Sequence, residues 1–293
     1  MLQQKYKFIK HLGGGAFGAV VQAEDVQTGE VVAVKKLQRL HYSPYFLSEI
    51  LNHRQLCHPH VVKFHEVFPT NNHLNIVMEY ANGGSLFDYV KQHRRLPEKD
   101  ARWFFQQMMI AVDYCHKKGV TNRDIKLENI LLHHMQGRAL SIVKLCDWGY
   151  SKLAEAGPRT AVGTVAYMAP EVLQNCLHSA EQLYDGFAAD LWSCGVVLYT
   201  MLLGRRPFAD ERGANKQLLE QMASQAYELP NTLSRDCQAL LRRLLHPDPA
   251  QRIKMDGVLR DPWFLTGGGP LDLGLAGHIQ TLGVLGTQTV CCE

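Results

Sequence analysis

The spacing of apolar residues changes once along this chain, at the break Ala81-Asn82-Gly83-Gly84. Before it, residues 6–80 alternate short β-rich runs with turns: Tyr6–Leu12, Ala19–Ala23, Val31–Leu37 after the Thr28-Gly29 turn, and Leu74–Tyr80. One segment among them, Pro44 to Cys57, has helical spacing instead, with Phe46, Ile50, Leu51 and Leu56 at apolar positions and Glu49 inside it. After the break helical spacing dominates, over Leu86–His93, Glu98–Lys118, Asp190–Leu203, Lys216–Ala226 and Ser234–Leu245. The break therefore reads as a hinge between a β-rich part and a helical part. A chain of 293 residues is long enough to bury a sizeable core in either one large domain or two lobes. It shows no internal repeat.

Chemistry gathers in Thr121-Asn122-Arg123-Asp124-Ile125-Lys126-Leu127-Glu128-Asn129, followed by Asp147-Trp148-Gly149. This stretch holds a candidate proton acceptor, a cation suited to a phosphate and two hard oxygen ligands of the kind Mg²⁺ takes. Upstream, Gly13-Gly14-Gly15-Ala16-Phe17-Gly18-Ala19-Val20 fits G-x-G-x-x-G-x-V, and Val32-Ala33-Val34-Lys35 places a lysine on a strand. Downstream stands Ala169-Pro170-Glu171. A glycine-rich turn alone is weak, because such turns also open dinucleotide-binding folds. Five elements in order are specific, and together they match the known signature of the protein kinases. The chain resembles the eukaryotic protein kinases from about residue 6 to residue 265.

The resemblance implies an α+β bilobal fold, with a β-rich N-lobe over 6–80, a helical C-lobe over 81–265, and ATP and Mg²⁺ as cofactors. Gly13, Gly15 and Gly18 would bring backbone N–H groups over the phosphates, where side chains would obstruct the approach. Lys35 would pair with the α- and β-phosphates, with Glu49 as its partner. Leu12, Val20, Ala33, Met78, Glu79, Ala81 and Leu131 are the further positions implied around the nucleotide. Asp124 is expected to accept or orient the substrate hydroxyl proton, Lys126 to neutralise the γ-phosphate, and Asn129 and Asp147 to hold the metals. Lys126, two residues after the aspartate, and Thr164 select serine and threonine hydroxyls in the family's pattern. Asp190 resembles the aspartate that bonds the catalytic-loop backbone, and Glu171 with Arg252 a buried structural ion pair. Glu128 occupies a position that reads an upstream arginine in basophilic relatives, while a second acidic reader is replaced by Ser85. Thr160, eleven residues before Glu171, is the expected regulatory phosphate site, with Arg123 and Lys152 as its cationic pocket.

Two positions depart from the family pattern. Asn122 stands for the usual His, and Trp148 for the usual Phe, both in a column of stacked side chains that His53 and Phe64 would complete. Asn is smaller and polar, so the expectation is a weakened stack, lower or differently regulated activity, and a gain in turnover on Asn122→His. His53, Cys57, His58, His60 and His65 fit no regular zinc spacing, and Cys57-His58-Pro59-His60 reads, by the resemblance, as the loop after the Glu-bearing helix. Cys146 reads as a buried thiol.

Longer strings narrow the resemblance. Asn52-His53-Arg54, Ile76-Val77-Met78-Glu79-Tyr80, Phe104-Phe105-Gln106-Gln107, Asp147-Trp148-Gly149-Tyr150-Ser151-Lys152 and Tyr184-Asp185-Gly186 are similar to the plant osmotic-stress and abscisic-acid-responsive branch of the sucrose-non-fermenting-related kinases. That branch carries a long acidic C-terminal region, whereas only Asp272 and Glu293 are acidic after residue 265 here. Residues 266–293, punctuated by glycines, are expected to form a poorly ordered tail. A net charge of +3 without a Lys/Arg block gives no footprint for nucleic acid. The longest apolar run, Cys194 to Leu203, is too short to span a bilayer and reads as a buried helix. Scattered cysteines and no leader before Tyr6 point to a reduced compartment, cytoplasmic or nuclear. Expected partners are proteins bearing Ser or Thr and an upstream kinase or phosphatase, with the chain itself a monomer. Two rival readings are a pseudokinase scaffold, opposed by Lys35, Asp124 and Asp147 together, and a small-molecule kinase, opposed by Gly163-Thr164 and Ala169-Pro170-Glu171.

Overall fold

β-branched and aromatic residues alternating with polar ones build a five-stranded antiparallel sheet in the order β1-β2-β3-β5-β4. The strands are β1 Tyr6–Gly15, β2 Gly18–Asp25, β3 Val31–Gln38, β4 Phe64–Pro69 and β5 His73–Glu79. The computed structural model describes residues 5–15, 18–38, 50–135, 137, 140–149, 151–153, 164–178, 183–208 and 215–267. Register places Val20 opposite Lys35, Lys35 opposite Ile76 and Ala33 opposite Met78, so these side chains share one face of the sheet. The other face buries Val21, Ala23, Val32, Val34, Phe68 and Val77, with Tyr6 stacked on Phe68 at 5.8 Å. Strand β4 is missing from the sequence reading. It is an edge strand, which tolerates the polar His65 and Glu66 and a terminal Pro69, so its apolar alternation is faint.

The helical part follows the expected spacing in α1 Leu86–His93, α2 Glu98–Lys117, α4 Gly186–Leu203, α5 Asn215–Ala223 and α6 Arg235–Leu244. The sequence reading lacks three short helices, α3 Pro170–His178, α7 Met255–Leu259 and α8 Pro262–Leu265. It also starts α4 four residues too late. Asp185 caps that helix by accepting from the amides of Phe187 (2.9 Å) and Ala188 (3.2 Å), so Gly186-Phe187-Ala188-Ala189 forms its first turn. Helix α4 is apolar and long enough to cross a membrane by composition, yet 83% of that window is buried inside the fold. It packs against α2, whose Phe104, Phe105, Met108 and Met109 are buried in the same core. Two small sheets frame the site, β6 Val120–Thr121 with β9 Lys152–Leu153 and β7 Ile130–His133 with β8 Ile142–Leu145.

Loops on either side of the sheet lock it to the helical part. The Val62 amide donates to the Leu145 carbonyl (2.9 Å), and the Leu145 amide to the His60 carbonyl (2.8 Å). At the hinge, the Gly83 amide donates to the Leu132 carbonyl at 2.7 Å. A Cβ on Gly83 would sit 2.7 Å from that same oxygen, so the approach requires glycine. Lys144 of β8 reaches Glu79 of β5 at 2.6 Å, a cross-lobe ion pair that the sequence did not announce.

His53, in the helical segment 50–54, and the histidines of the loop after it serve this packing. His53 Nε2 bonds the Val62 carbonyl (2.6 Å), His60 Nδ1 bonds the Val143 carbonyl (3.0 Å), and His58 stacks on Tyr114 at 4.9 Å. Burial pushes both His53 and His60 down to about 4, from an ordinary value of 6.5. Between pH 6.5 and 4 the unfolded chain binds protons that the folded chain refuses, so stability is full above 6.5 and falls as pH drops through this window. At 1.36 kcal/mol per pH unit, each histidine contributes a loss of about 3 kcal/mol by pH 4. Thermal melts from pH 8 to 4.5 should therefore show a Tm falling below pH 6.5. In His60→Asn, which keeps a donor for the Val143 carbonyl but has no titrating ring, that fall should be about half as steep. An unchanged slope in the variant would remove His60 from this account.

Candidate active site

Strand β3 brings Lys35 onto the sheet face that looks toward the helical part, where its Nζ lies 3.0 Å from Oδ1 of Asp147. Lys35 is buried and Asp147 half-buried. Burial acts to raise the Asp147 carboxyl, but the Lys35 ammonium and the Gly149 amide, which donates to Oδ1 at 3.2 Å, outweigh it and hold it below the usual carboxylate range. Glu49, the partner expected for Lys35, lies outside the described residues.

The glycine-rich turn is the end of the β1–β2 hairpin, pairing Gly13 with Val20 and Gly15 with Gly18. Gly18 has φ of +141°, and a Cβ there would meet the Lys36 carbonyl oxygen at 1.9 Å, so the fold itself demands glycine. A Cβ on Gly13 would meet nothing within 4 Å. Among the described residues, packing does not require glycine there. Leu12 sits at the irregular step of the register between His11 and Gly13. Val20, Ala33 and Met78 share the Lys35 face, Glu79 ends β5, Ala81 is buried in the hinge, and Leu131 faces Ser85 in a bridge from β7. The Glu79 side chain is spent on Lys144 at 2.6 Å and on the Lys63 amide at 3.1 Å.

Asp124 is the centre of the loop between β6 and β7. Its Oδ2 accepts from Lys126 Nζ (2.6 Å) and Asn129 Nδ2 (3.0 Å), and its Oδ1 from the Thr164 amide (3.1 Å) and hydroxyl (3.0 Å). Lys126 also reaches the Thr164 hydroxyl at 2.9 Å. The short 3-10 turn Leu127–Asn129 swings Asn129 back beneath Asp124, whose carbonyl takes a second bond from Asn129 Nδ2. With its nitrogen engaged there, Asn129 offers Oδ1 as its remaining oxygen. Arg123 and Asp147 both have positive φ, +66° and +60°. Such strain is held only where the surroundings over-determine it. Asp190 supplies part of that support by accepting from the amides of Asn122 (2.9 Å) and Arg123 (2.8 Å), while His116 bonds its Oδ2 at 2.9 Å. The role of Asp190 was legible in the sequence and that of His116 was not.

The stacked column forms in part. His53 packs edge-on against Phe64 at 5.6 Å and tilted against Trp148 at 6.1 Å. Trp148 is fully buried, and its Nε1 has no hydrogen-bond partner among the described residues. Asn122 contributes no ring. Its Nδ2 donates to the Asp147 carbonyl (3.1 Å) and its Oδ1 accepts from the Asp124 amide (3.1 Å). Beyond the expected loss of a ring from the stack, the small polar side chain makes two hydrogen bonds. Cys146 donates Sγ–H to the Asn129 carbonyl at 3.3 Å, and burial pushes its thiol up, against a reactive thiolate.

Below the site, Arg252 meets Glu171 through two bonds of 2.7 and 2.9 Å and also donates to the carbonyls of Ala188 and His246. Thr160 lies outside the described residues, as does the side chain of Lys152. Arg123 is engaged with the Tyr184 hydroxyl.

A family model for the protein kinase domain matches residues 6–264. Among curated relatives, the rice serine/threonine-protein kinase SAPK4 is 41% identical over 89% of this chain and 72% of its own length. Rice SAPK2 is 43% identical over 89% and 77%, and Arabidopsis thaliana SRK2H 43% identical over 89% and 72%. These matches cross both the sheet that carries Lys35 and the loops that carry Asp124 and Asp147, and the chain belongs to the protein kinase family.

Proposed function

We propose that this chain transfers the γ-phosphate of ATP to serine and threonine hydroxyls of protein substrates, in stress signalling. The observation that carries the reading is the convergence on Asp124 of Lys126, Asn129 and Thr164, joined through Asn122 to Asp147, which pairs with Lys35. The pathway rests on the rice and Arabidopsis relatives, named as serine/threonine-protein kinases, and on the strings shared with the osmotic-stress branch.

Phosphoryl transfer asks a protein mainly for positioning and charge stabilisation. Asp124 orients the attacking hydroxyl and takes its proton, and Lys126, two residues on, offsets charge at the transferred group. Lys35 holds the nucleotide phosphates, with Gly13, Gly15 and Gly18 giving backbone access above them. Leu12, Val20, Ala33, Met78, Ala81 and Leu131 surround the base, and the Glu79 backbone faces it. The Asp147 carboxylate and Asn129 Oδ1 are hard oxygen donors, which fits Mg²⁺. A metal ion held by these two oxygens would neutralise phosphate charge. Thr160 is the proposed control point, written to by an upstream kinase and erased by a phosphatase, on a chain that acts as a monomer. Phosphoamino-acid analysis of products tests the hydroxyl class: label in phosphoserine and phosphothreonine supports it, and label in phosphotyrosine contradicts it.

Substrate choice extends the reading. Glu128 has Oε2 buried without a partner among the described residues, and its charge raises the nearby Tyr167 hydroxyl, after burial. No described residue forms an ion pair with the Glu128 carboxylate beside Tyr167, so its charge is left to attract a cation and an upstream Arg or Lys should be preferred. Ser85 is spent capping α1 through the Asp88 amide and offers no second charge, which keeps the preference moderate. Glu128→Gln should lower kcat/KM for peptides with upstream Arg about tenfold, the worth of one charged hydrogen bond, while leaving Arg-free peptides unchanged. Equal losses on both peptides would contradict the assignment.

A further inference from the structure

The two aspartates of the site sit on separate loops, and each loop contains a strained residue. Arg123, with φ of +66°, precedes Asp124, and Asp147 itself has φ of +60°. One side chain touches both loops. Asn122 is buried, with Oδ1 accepting from the Asp124 amide at 3.1 Å and Nδ2 donating to the Asp147 carbonyl at 3.1 Å. Only one orientation of the carboxamide satisfies both partners, since a carbonyl needs a donor and an amide N–H an acceptor. The bond to the residue two positions on is an Asx-turn, a local geometry that Asn and Asp side chains favour. It closes the turn around Arg123, whose own amide is held by Asp190 at 2.8 Å.

We infer that Asn122 is a positioning residue that fixes the proton-accepting Asp124 to the metal-binding Asp147 through its single carboxamide, a role that rests on the functional reading above. The family's histidine cannot take both bonds in place. An imidazole carries one nitrogen bonded to Cγ, so it replaces either the acceptor toward Asp124 or the donor toward Asp147. The chain has therefore exchanged a ring in the stacked column for a two-sided link between loops. His53, Phe64 and Trp148 continue the column without it.

The test compares wild type with Asn122→Leu and Asn122→His. Leu keeps the branched skeleton of Asn with bulkier methyl ends and removes both hydrogen bonds, so Tm reports overpacking while exchange and Mg·ADP affinity report the linkage. The measurements are kcat on a Ser/Thr peptide, calorimetric Kd for Mg·ADP, amide exchange at residues 122–124 and 146–149, and Tm. Asn122→Leu should lower kcat about 10- to 100-fold, because small displacements of reacting groups are costly. It should also weaken Mg·ADP several-fold and speed exchange in both segments about fivefold, as expected for a lost hydrogen bond. Asn122→His should lower kcat as well, by less. A Leu variant with wild-type kcat and exchange, or a His variant faster than wild type, would overturn the inference in favour of simple packing. If Leu does not fold, the His variant decides by the same criteria. Should wild type itself transfer no phosphate, the kinase reading fails, while amide exchange and Mg·ADP affinity still decide the linkage.

Discussion

Asp147→Asn and Lys35→Met should each lower kcat by a factor of about 10³ while leaving the fold in place, because each removes a preorganised charge from a reaction that depends on such charges. Asp147 is ionised in the resting protein, held there by Lys35 at 3.0 Å and by the Gly149 amide against the effect of burial. Asparagine keeps an acceptor for both donors and loses only the charge that a metal would use. Methionine fits the buried stem of Lys35 and leaves Asp147 its bond from the Gly149 amide. A change of about 1 kcal/mol in a protein of this size moves Tm by about 2–4 °C. Scanning fluorimetry should therefore find both variants folded, with single-turnover kinetics showing the loss. A variant that is unfolded, or one that retains near-normal turnover, would remove the assignment.

The second large effect concerns stability. Arg252 is almost completely buried and donates to both oxygens of Glu171, to the carbonyls of Ala188 and His246, and lies over the Trp192 ring at 5.1 Å. Arg252→Ala would leave Glu171 facing two orphaned carbonyls in the core between α3 and α4. Removing one partner of a buried pair costs about 3–5 kcal/mol, which predicts a Tm lower by about 6–20 °C. Arg252→Lys keeps the charge but not the fork, and should recover only part of the loss. Any remaining fall in kcat should follow the folded fraction. A variant that melts normally but is inactive would move Arg252 from the scaffold to the chemistry.

Where the sequence was informative, chemistry and pattern coincided. Lys35, Asp124, Lys126, Asn129 and Asp147 stand in ordered motifs, and the structure brings Lys35 to Asp147 across 112 positions of chain. The Arg252–Glu171 pair was legible for the same reason. Local pattern failed where tertiary context decides. Strand β4 is an edge strand with weak alternation, and α3 follows a Pro that opens it. The start of α4 was hidden because three of its first four residues, Gly186, Ala188 and Ala189, are small and carry little apolar signal. The Lys144–Glu79 pair joins two strands with nothing local to announce it. The two hydrogen bonds of Asn122 were not legible, because one of them depends on where the fold brings the Asp147 carbonyl, 25 positions away.

Phosphorylation of a degenerate Ser/Thr peptide library by the purified chain with ATP and Mg²⁺, set beside Asp147→Asn, tests the central claim most directly. The account predicts label incorporated into Ser and Thr peptides, enriched for upstream Arg or Lys, and nearly absent with the variant. Binding of Mg·ADP without any phosphate transfer above the Asp147→Asn level would contradict it and leave a nucleotide-binding scaffold in its place.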